Sequence, residues 1–310
     1  MDLKIVILDG YTLNPGDLSW APFEQFGHIE VHDHTTSGDV IHRARNADVL
    51  VVNKVILNEH IIQALPNLKA ICVTATGMNN IDLKAAKKLN IPVSNVAGYG
   101  TESVAQHVFA LILHFTNHVA LHGKAVSNNA WSAQPHFSFS VKPMTELAGK
   151  TIGIYGFGNI GKSVARISKA FGMVVLVNSS VSQENRDVDA FVPLRSIFQK
   201  SDFISLHAQL TPENQGIVNL ELLSQMKPEA ILINTGRGGL INEKDMEIAL
   251  KRGYLSAAAL DVLNQEPPPA DHPFFSVPNV VITPHNAWAT KEARQRLLSM
   301  AADQLKNIVG

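Results

Sequence analysis

The chain has 310 residues, long enough for two domains of ordinary size, with 45% hydrophobic and 17% charged residues. That balance excludes a disordered chain, and a net charge of −1 gives no general attraction for nucleic acid or an anionic membrane. No apolar run reaches the roughly 18 residues of a membrane span, and the start lacks a signal-peptide pattern, so a cytoplasmic protein is expected.

Taken in order, short apolar runs alternate with helical patterns. Strands are expected at Leu3–Leu8, His28–His32, Val49–Val52, Ala70–Val73 and Val93–Asn95, with helices at Gly38–Arg45, Asn58–Ala64 and Leu83–Leu89. Alternation of this kind builds a parallel sheet covered by helices. The single cysteine, Cys72, lies in the apolar run KAICVTA and reads as a buried, inert thiol. A longer helix over about 101–117 follows the Gly98-Tyr99-Gly100 break. The aromatic-rich stretch AWSAQPHFSFSVKPMTELAG after it shows few periodic signals. Loops of this length are usually functional or interfacial, so an arm docking on a partner subunit is expected.

From Lys150 the alternation restarts with strands at Thr151–Tyr155, Val174–Val177, Phe203–Leu206, Ile231–Asn234, Ala257–Leu260 and Val280–Thr283, enough for a six-stranded doubly wound sheet. An amphipathic helix, Lys291–Ile308, ends the chain and could cross back onto the first domain. The expected fold class is α/β, with two doubly wound parallel-sheet domains and a cleft between them. Residues 1–99 and 289–310 would form one domain and residues 100–288 the other.

The run TIGIYGFGNIG (151–161) breaks into Gly156-x-Gly158-x-x-Gly161 between a strand and a helix. Gly156 would make the tight turn, Gly158 would let the backbone approach a pyrophosphate, and Gly161 would let the helix pack close to the sheet. The pyrophosphate would sit on a helix N-terminus, where unpaired N–H groups and the dipole favour an anion.

Arg237, Glu266 and His285 each follow a late strand, and the carboxyl ends of parallel strands face the ligand crevice. Each alone reads as an ordinary turn or surface residue. Together, opposite a dinucleotide loop, they are what hydride transfer to a 2-oxo acid requires. Arg237 can pair with the substrate carboxylate and stabilise the developing oxyanion. His285 can donate the proton and retrieve it in reverse, and Glu266 would hold the other ring nitrogen.

His107, His114 and His118 could share one helix face, which reads as packed or solvated, with no metal site. His32 and His34 suit a strand edge. No nucleophile elbow or Walker loop is present, so acyl and phosphoryl transfer have no support.

The motifs TGMNNID (76–82), GYGTESVAQH (98–107), ELAGKTIGIYGFGNIG (146–161), INTGRGGLINE (233–243), AALDVLNQEPPP (258–269) and TPHNAWAT (283–290) run in the order of one family. Over nearly its whole length the chain resembles the D-isomer-specific 2-hydroxyacid dehydrogenases, most closely the glycerate dehydrogenase/hydroxypyruvate reductase branch. The resemblance implies a flavodoxin-like substrate domain and a Rossmann dinucleotide-binding domain. It also implies NAD or NADP as cofactor and a homodimer with its arm at about 120–145.

The resemblance implies that Arg237 binds substrate and that Glu266 and His285 are the acid–base pair. Thr76 and Gly77 would bind the substrate carboxylate, and Trp288 would shape its pocket, although a packing role suits Trp288 equally. Asn159, Ile160, Val104, Ala208, Thr235 and Gly236 would line the cofactor, with Asp261 near the nicotinamide amide.

Strand MVVLVNSS departs from the family pattern by carrying Ser179 where NAD-preferring relatives usually have an acid. Arg186 is only a distant cation for a 2′-phosphate, which leaves the cofactor preference open with NAD slightly ahead. Gln106 stands where the family often has Glu. The favoured substrates are glycerate/hydroxypyruvate, with glyoxylate also accepted. Alternatives are D-lactate, 3-phosphoglycerate, a phenylpyruvate-type acid, or an NAD-sensing corepressor-like scaffold.

Overall fold

The computed structural model describes residues 2–180 and 185–309. The chain divides into two compact units, Met1–Gly100 with Trp288–Gly310, and Thr101–Ala287.

The first unit runs β1 (Leu3–Ile7), α1 (Ala21–Glu24), β2 (Gly27–Val31), α2 (Val40–Ala44), β3 (Val49–Val52), α3 (Glu59–Gln63), β4 (Ala70–Val73), α4 (Leu83–Lys88) and β5 (Val93–Asn95). All its strand pairs are parallel, in the order β2-β1-β3-β4-β5, which is the flavodoxin-like arrangement. Two-residue periodicity sorts the core. Val6, Leu50, Val52, Ile71 and Val73 pack under α2, α3 and α4, while Ile5, Ile7, Val49, Val51 and Cys72 face the other layer. Asn58 and Asp82 cap α3 and α4 by accepting backbone N–H bonds.

The second unit runs α5 (Thr101–Asn117), α6 (Val119–Ser127), β6 (Thr151–Tyr155), α7 (Asn159–Ala170), β7 (Val174–Asn178), β8 (Ala190–Phe191), α8 (Leu194–Lys200), β9 (Phe203–Leu206), α9 (Leu220–Leu223), β10 (Ile231–Asn234), α10 (Glu243–Lys251), β11 (Ala257–Leu260) and β12 (Val280–Ile282). Its parallel sheet has the order β12-β11-β10-β9-β6-β7-β8, a Rossmann sheet with one further strand at β12. Among the described residues, seven strands replace the expected six. The extra one, β8, has two residues, Ala190 and Phe191, too few for any pattern to register.

α11 (Lys291–Val309) belongs to the first unit, where Leu297, Leu298, Ala301 and Leu305 cover the β4–β5 side of the sheet. Cys72 is fully buried there, its Sγ 3.5 Å from the Ala301 carbonyl oxygen, and burial pushes the thiol pKa up to about 11. An inert thiol is the result. Among the described residues no single helix is long and apolar enough to cross a membrane.

His118 lies outside the face expected for it. α5 ends at Asn117, and His118 has φ 50°, so the three histidines do not continue along one helix. Burial, reinforced by positive charge from Lys142, His122 and His114, holds His118 below the ordinary histidine range.

Candidate active site

The glycine turn has a separate steric reason at two of its positions. Gly156 leaves β6 with φ +95°, and a Cβ there would stand 2.4 Å from the Ala208 nitrogen. A Cβ on Gly161 would stand 2.3 Å from the Gly156 carbonyl oxygen, so a side chain would push α7 off the turn. Gly158, by contrast, faces open space and is the N-cap of α7 without any side-chain cap. The first residues of the 12-residue helix, Asn159 and Ile160, therefore present amide groups beside an uncovered backbone, a fitting seat for a diphosphate.

The neighbouring strand ends complete the donor set. His207 and Ala208 follow β9, and Thr235 and Gly236 follow β10. Thr235 Oγ1 and His207 Nδ1 are buried without a hydrogen-bond partner. Burial pulls the His207 pKa down to about 3, so the ring stays neutral, with its Nε2 2.8 Å from Ser205 Oγ. Two orphaned polar atoms at the carboxyl edge of a glycine-turn sheet fit a nicotinamide dinucleotide, whose ribose and amide groups can satisfy them. Ser179 is half-buried directly after β7, and Val104 is buried in the first turns of α5.

β10, β11 and β12 are adjacent, and their carboxyl ends carry Arg237, the loop holding Glu266, and the loop holding His285. Arg237 is exposed, its Nη1 donating to the Gly236 carbonyl oxygen at 2.8 Å. Gly238 lies so close to the Glu266 loop that a Cβ would stand 2.1 Å from the Leu263 carbonyl carbon. His285 Nδ1 lies 2.5 Å from Glu266 Oε2, and Glu266 Oε1 accepts from the Leu263 N–H at 3.0 Å. Nδ1 faces the carboxylate, which orients the ring and favours its charged form.

Asp261 builds the turn beneath that histidine. Its carboxylate is buried and accepts from Thr283 Oγ1 at 2.5 Å and from the Asn286 and Ala287 N–H groups at 3.0 Å each. The Asp261 carbonyl oxygen takes the His285 N–H at 2.8 Å. These bonds hold His285 at φ 51°, a left-handed conformation that costs a non-glycine residue about 1–3 kcal/mol. His107 adds to the network, its Nε2 3.1 Å from Thr283 Oγ1.

Thr76 and Gly77 follow β4 in the first unit, where Thr76 Oγ1 donates to the Val96 carbonyl oxygen at 3.0 Å. Trp288 is half-buried against the same unit, its ring edge-on to Tyr99 with centroids 5.8 Å apart. Sequence reasoning passed over several residues of this edge. Asp9, following β1, accepts from the Asn53, Lys54 and Val55 N–H groups at 2.7, 2.5 and 3.0 Å and so fixes the turn after β3. Glu243 and His107 close the motifs INTGRGGLINE and GYGTESVAQH without a role being assigned to either, and His272 lies in no motif. Among the described residues, no three His, Cys, Asp or Glu side chains gather as a metal site.

A Rossmann sheet with an uncapped glycine turn and an imidazole–carboxylate pair at neighbouring strand ends defines a nicotinamide-dependent oxidoreductase. Residues 109–287 match the D-isomer-specific 2-hydroxyacid dehydrogenase NAD-binding domain. The chain is similar to a hydroxypyruvate reductase of Blautia hydrogenotrophica, 41% identical over 99% of this chain and 97% of that protein. It is also similar to a glycerate dehydrogenase of Methylorubrum extorquens, 35% identical over 100% and 97%. Among solved structures, an acyclic imino acid reductase in complex with NADPH and D-Arg superposes with a TM-score of 0.84. It is 30% identical, and the match covers 98% of this chain and 96% of that one. The chain belongs to the D-isomer-specific 2-hydroxyacid dehydrogenase family and is an NAD(P)-dependent enzyme of that family.

Proposed function

We propose that this enzyme interconverts hydroxypyruvate and D-glycerate, accepts glyoxylate as a second 2-oxo acid, and uses Arg237, Glu266 and His285 for the chemistry. The observation that carries the mechanism is the His285–Glu266 pair at 2.5 Å, and Nε2 is assigned to the substrate. The substrate pair rests on the full-length similarity to a hydroxypyruvate reductase and a glycerate dehydrogenase.

When bound, the nicotinamide supplies or accepts the hydride at substrate C2. In reduction, His285 Nε2 gives its proton to the C2 oxygen as negative charge builds there, and the hydroxyl forms. Glu266 keeps the ring oriented and stabilises its charged form. Arg237 pairs with the substrate carboxylate and the polarised C2 oxygen through its planar donors. In oxidation His285 is neutral at Nε2 and takes the hydroxyl proton. Asn159 and Ile160 amides hold the diphosphate, with Gly156, Gly158 and Gly161 shaping that seat. Val104, Ala208, Thr235 and Gly236 line the rest of the cofactor site. Thr76, Gly77 and Trp288 are assigned to substrate binding.

Assembly as a cytoplasmic homodimer completes the reading. α6 buries none of its residues, and Val119 at 73% and Phe137 at 94% exposure lie in or just after it, with Trp131 and Met144 also exposed. A second copy covering this apolar segment accounts for it. Light scattering on the purified protein is expected to give twice the 33.7 kDa chain mass.

The test is oxidation of NADH and NADPH in parallel with hydroxypyruvate, glyoxylate, pyruvate and phenylpyruvate. Highest kcat/KM with hydroxypyruvate is expected, and a higher value with pyruvate or phenylpyruvate overturns the substrate assignment. Ser179→Asp is expected to raise the NADH/NADPH ratio of kcat/KM at least about tenfold, because a carboxylate after β7 accepts from the ribose hydroxyls and repels a 2′-phosphate. An unchanged ratio would take Ser179 away from the adenosine ribose.

A further inference from the structure

The loop carrying Glu266 is held by a second carboxylate–histidine pair, and the chain of contacts runs through consecutive amides. The Leu263 N–H donates to Glu266 Oε1, and the next N–H, of Asn264, donates to Glu243 Oε1 at 2.8 Å. Glu243 opens α10, whose N-cap Asn242 fixes the first turn by accepting from the Asp245 N–H. Its other oxygen, Oε2, lies 3.4 Å from Nε2 of His272, a residue only 6% exposed. His272 Nδ1 accepts from the Phe274 N–H at 3.3 Å, so Nε2 carries a hydrogen directed at Glu243. The ring is wedged beside Phe274 and Phe275, at centroid distances of 5.2 and 5.6 Å.

We propose that Glu243 and His272 are a positioning pair for Glu266: they fix the Leu263–Asn264 peptide from behind, and the adjoining Val262–Leu263 peptide, through the Leu263 N–H, fixes the carboxylate facing His285. This rests on the reading of Glu266 and His285 as the acid–base pair. Gly238 lies directly against the turn containing Leu263 and Asn264, where a Cβ would stand 2.1 Å from the Leu263 carbonyl carbon and 2.6 Å from the Asn264 nitrogen. The orientation of this turn is set by these backbone bonds together with the buried Leu263 side chain and the Asn264 Nδ2 bond to the Ile241 carbonyl oxygen at 3.4 Å. When the Asn264 N–H loses its acceptor the Leu263–Asn264 peptide can rotate, and the Val262–Leu263 peptide, joined to it at the Leu263 Cα and donating its N–H to Glu266 Oε1, loses the support on that side. Glu266 then gains freedom to leave the short contact with His285, and the imidazolium loses its partner carboxylate.

A role confined to stability would lower the melting temperature and leave the chemistry of the folded fraction unchanged. A positioning role must also show in the pH profile of kcat. Reduction needs a protonated His285, and a carboxylate alongside favours the charged ring. Loosening Glu266 therefore moves the basic limb of the kcat profile to lower pH.

The experiment compares Glu243→Ala, Glu243→Gln, His272→Phe and Glu266→Gln with the wild type, with NADH dissociation constants measured by fluorescence. Glu243→Ala is expected to cut kcat about tenfold and to shift the basic limb in the same direction as Glu266→Gln, with NADH affinity unchanged. Glu243→Gln keeps an oxygen for the Asn264 N–H and is expected to return the limb most of the way to its wild-type position. His272→Phe keeps the packing but removes the Nε2 donor and is expected to give an intermediate shift. A wild-type limb in Glu243→Ala alongside a shifted limb in Glu266→Gln overturns the positioning role and leaves the acid–base pair standing. If Glu266→Gln itself keeps the wild-type limb, the acid–base reading fails and the positioning role falls with it. Should Glu243→Ala not fold, Glu243→Gln and His272→Phe decide the matter, and wild-type limbs in both overturn the proposal.

Discussion

His285→Ala is expected to lower kcat for hydroxypyruvate reduction by about 100-fold or more while leaving NADH affinity near wild type. The expectation follows from the division of labour at the strand ends. Cofactor binding is assigned to the glycine turn and the β9 and β10 ends, whereas the His285 side chain is paired with Glu266 on the loop after β11. Proton delivery is assigned to Nε2 alone, since Nδ1 is held by Glu266. Truncation to alanine also removes Glu266's partner, so a carboxylate remains where negative charge develops on substrate, adding to the loss. His285→Asn offers a second variant. Asparagine tolerates the left-handed backbone at φ 51° better than most residues, yet supplies no titratable proton. Stopped-flow reduction at saturating NADH separates the chemical step from product release. A rate within threefold of wild type in either variant would remove His285 from the mechanism, and a large rise in the NADH dissociation constant would reassign it to cofactor binding.

How much of this was legible beforehand depends on where the signal resides. Strands β3, β4, β5, β6, β9, β10 and β11 have the same bounds in sequence and structure, because each is a short apolar run with turn residues on both sides. The two-residue β8 and the four-residue α1 carry no periodicity to read. The glycine turn was legible residue by residue, since close approach of backbone to backbone permits no Cβ at Gly156 or Gly161. Arg237, Glu266 and His285 could be grouped from sequence because parallel strands put their carboxyl ends together, and the structure brings His285 and Glu266 into contact. The residues that hold those groups were not found. Glu243 looks like any acidic residue in a helix first turn, and His272 looks like a histidine before proline. Their pairing joins α10 to a loop beyond β11, a contact that only the folded chain reveals. Asp261 was placed near the nicotinamide by resemblance, whereas its hydrogen bonds go to the turn that bears His285.

That distinction about Asp261 leads to the second large effect. Asp261→Ala is expected to destabilise the protein by about 3–5 kcal/mol, because it strips acceptors from two backbone N–H groups and one hydroxyl in a site 2% exposed. A buried donor left without a partner costs about 1–3 kcal/mol, and some of that is recovered as water enters or the turn relaxes. For a domain of this size the loss corresponds to roughly 10 °C in melting temperature. Relaxation also has a functional consequence. The left-handed backbone at His285 persists only while the surrounding bonds over-determine it. Once the Asn286 and Ala287 amides are released, the turn can return to an unstrained conformation and carry the imidazole away from Glu266. The folded fraction of Asp261→Ala is therefore expected to lose kcat as well as stability. Asp261→Asn separates the two possible jobs of this side chain. The amide keeps one acceptor oxygen but presents N–H to a backbone donor, so about half of the stability loss is expected, with an NADH dissociation constant close to wild type. A scaffold residue moves the melting temperature and kcat together. Wild-type melting with tenfold weaker NADH binding would instead make Asp261 a cofactor ligand, and the strain at His285 would need another support.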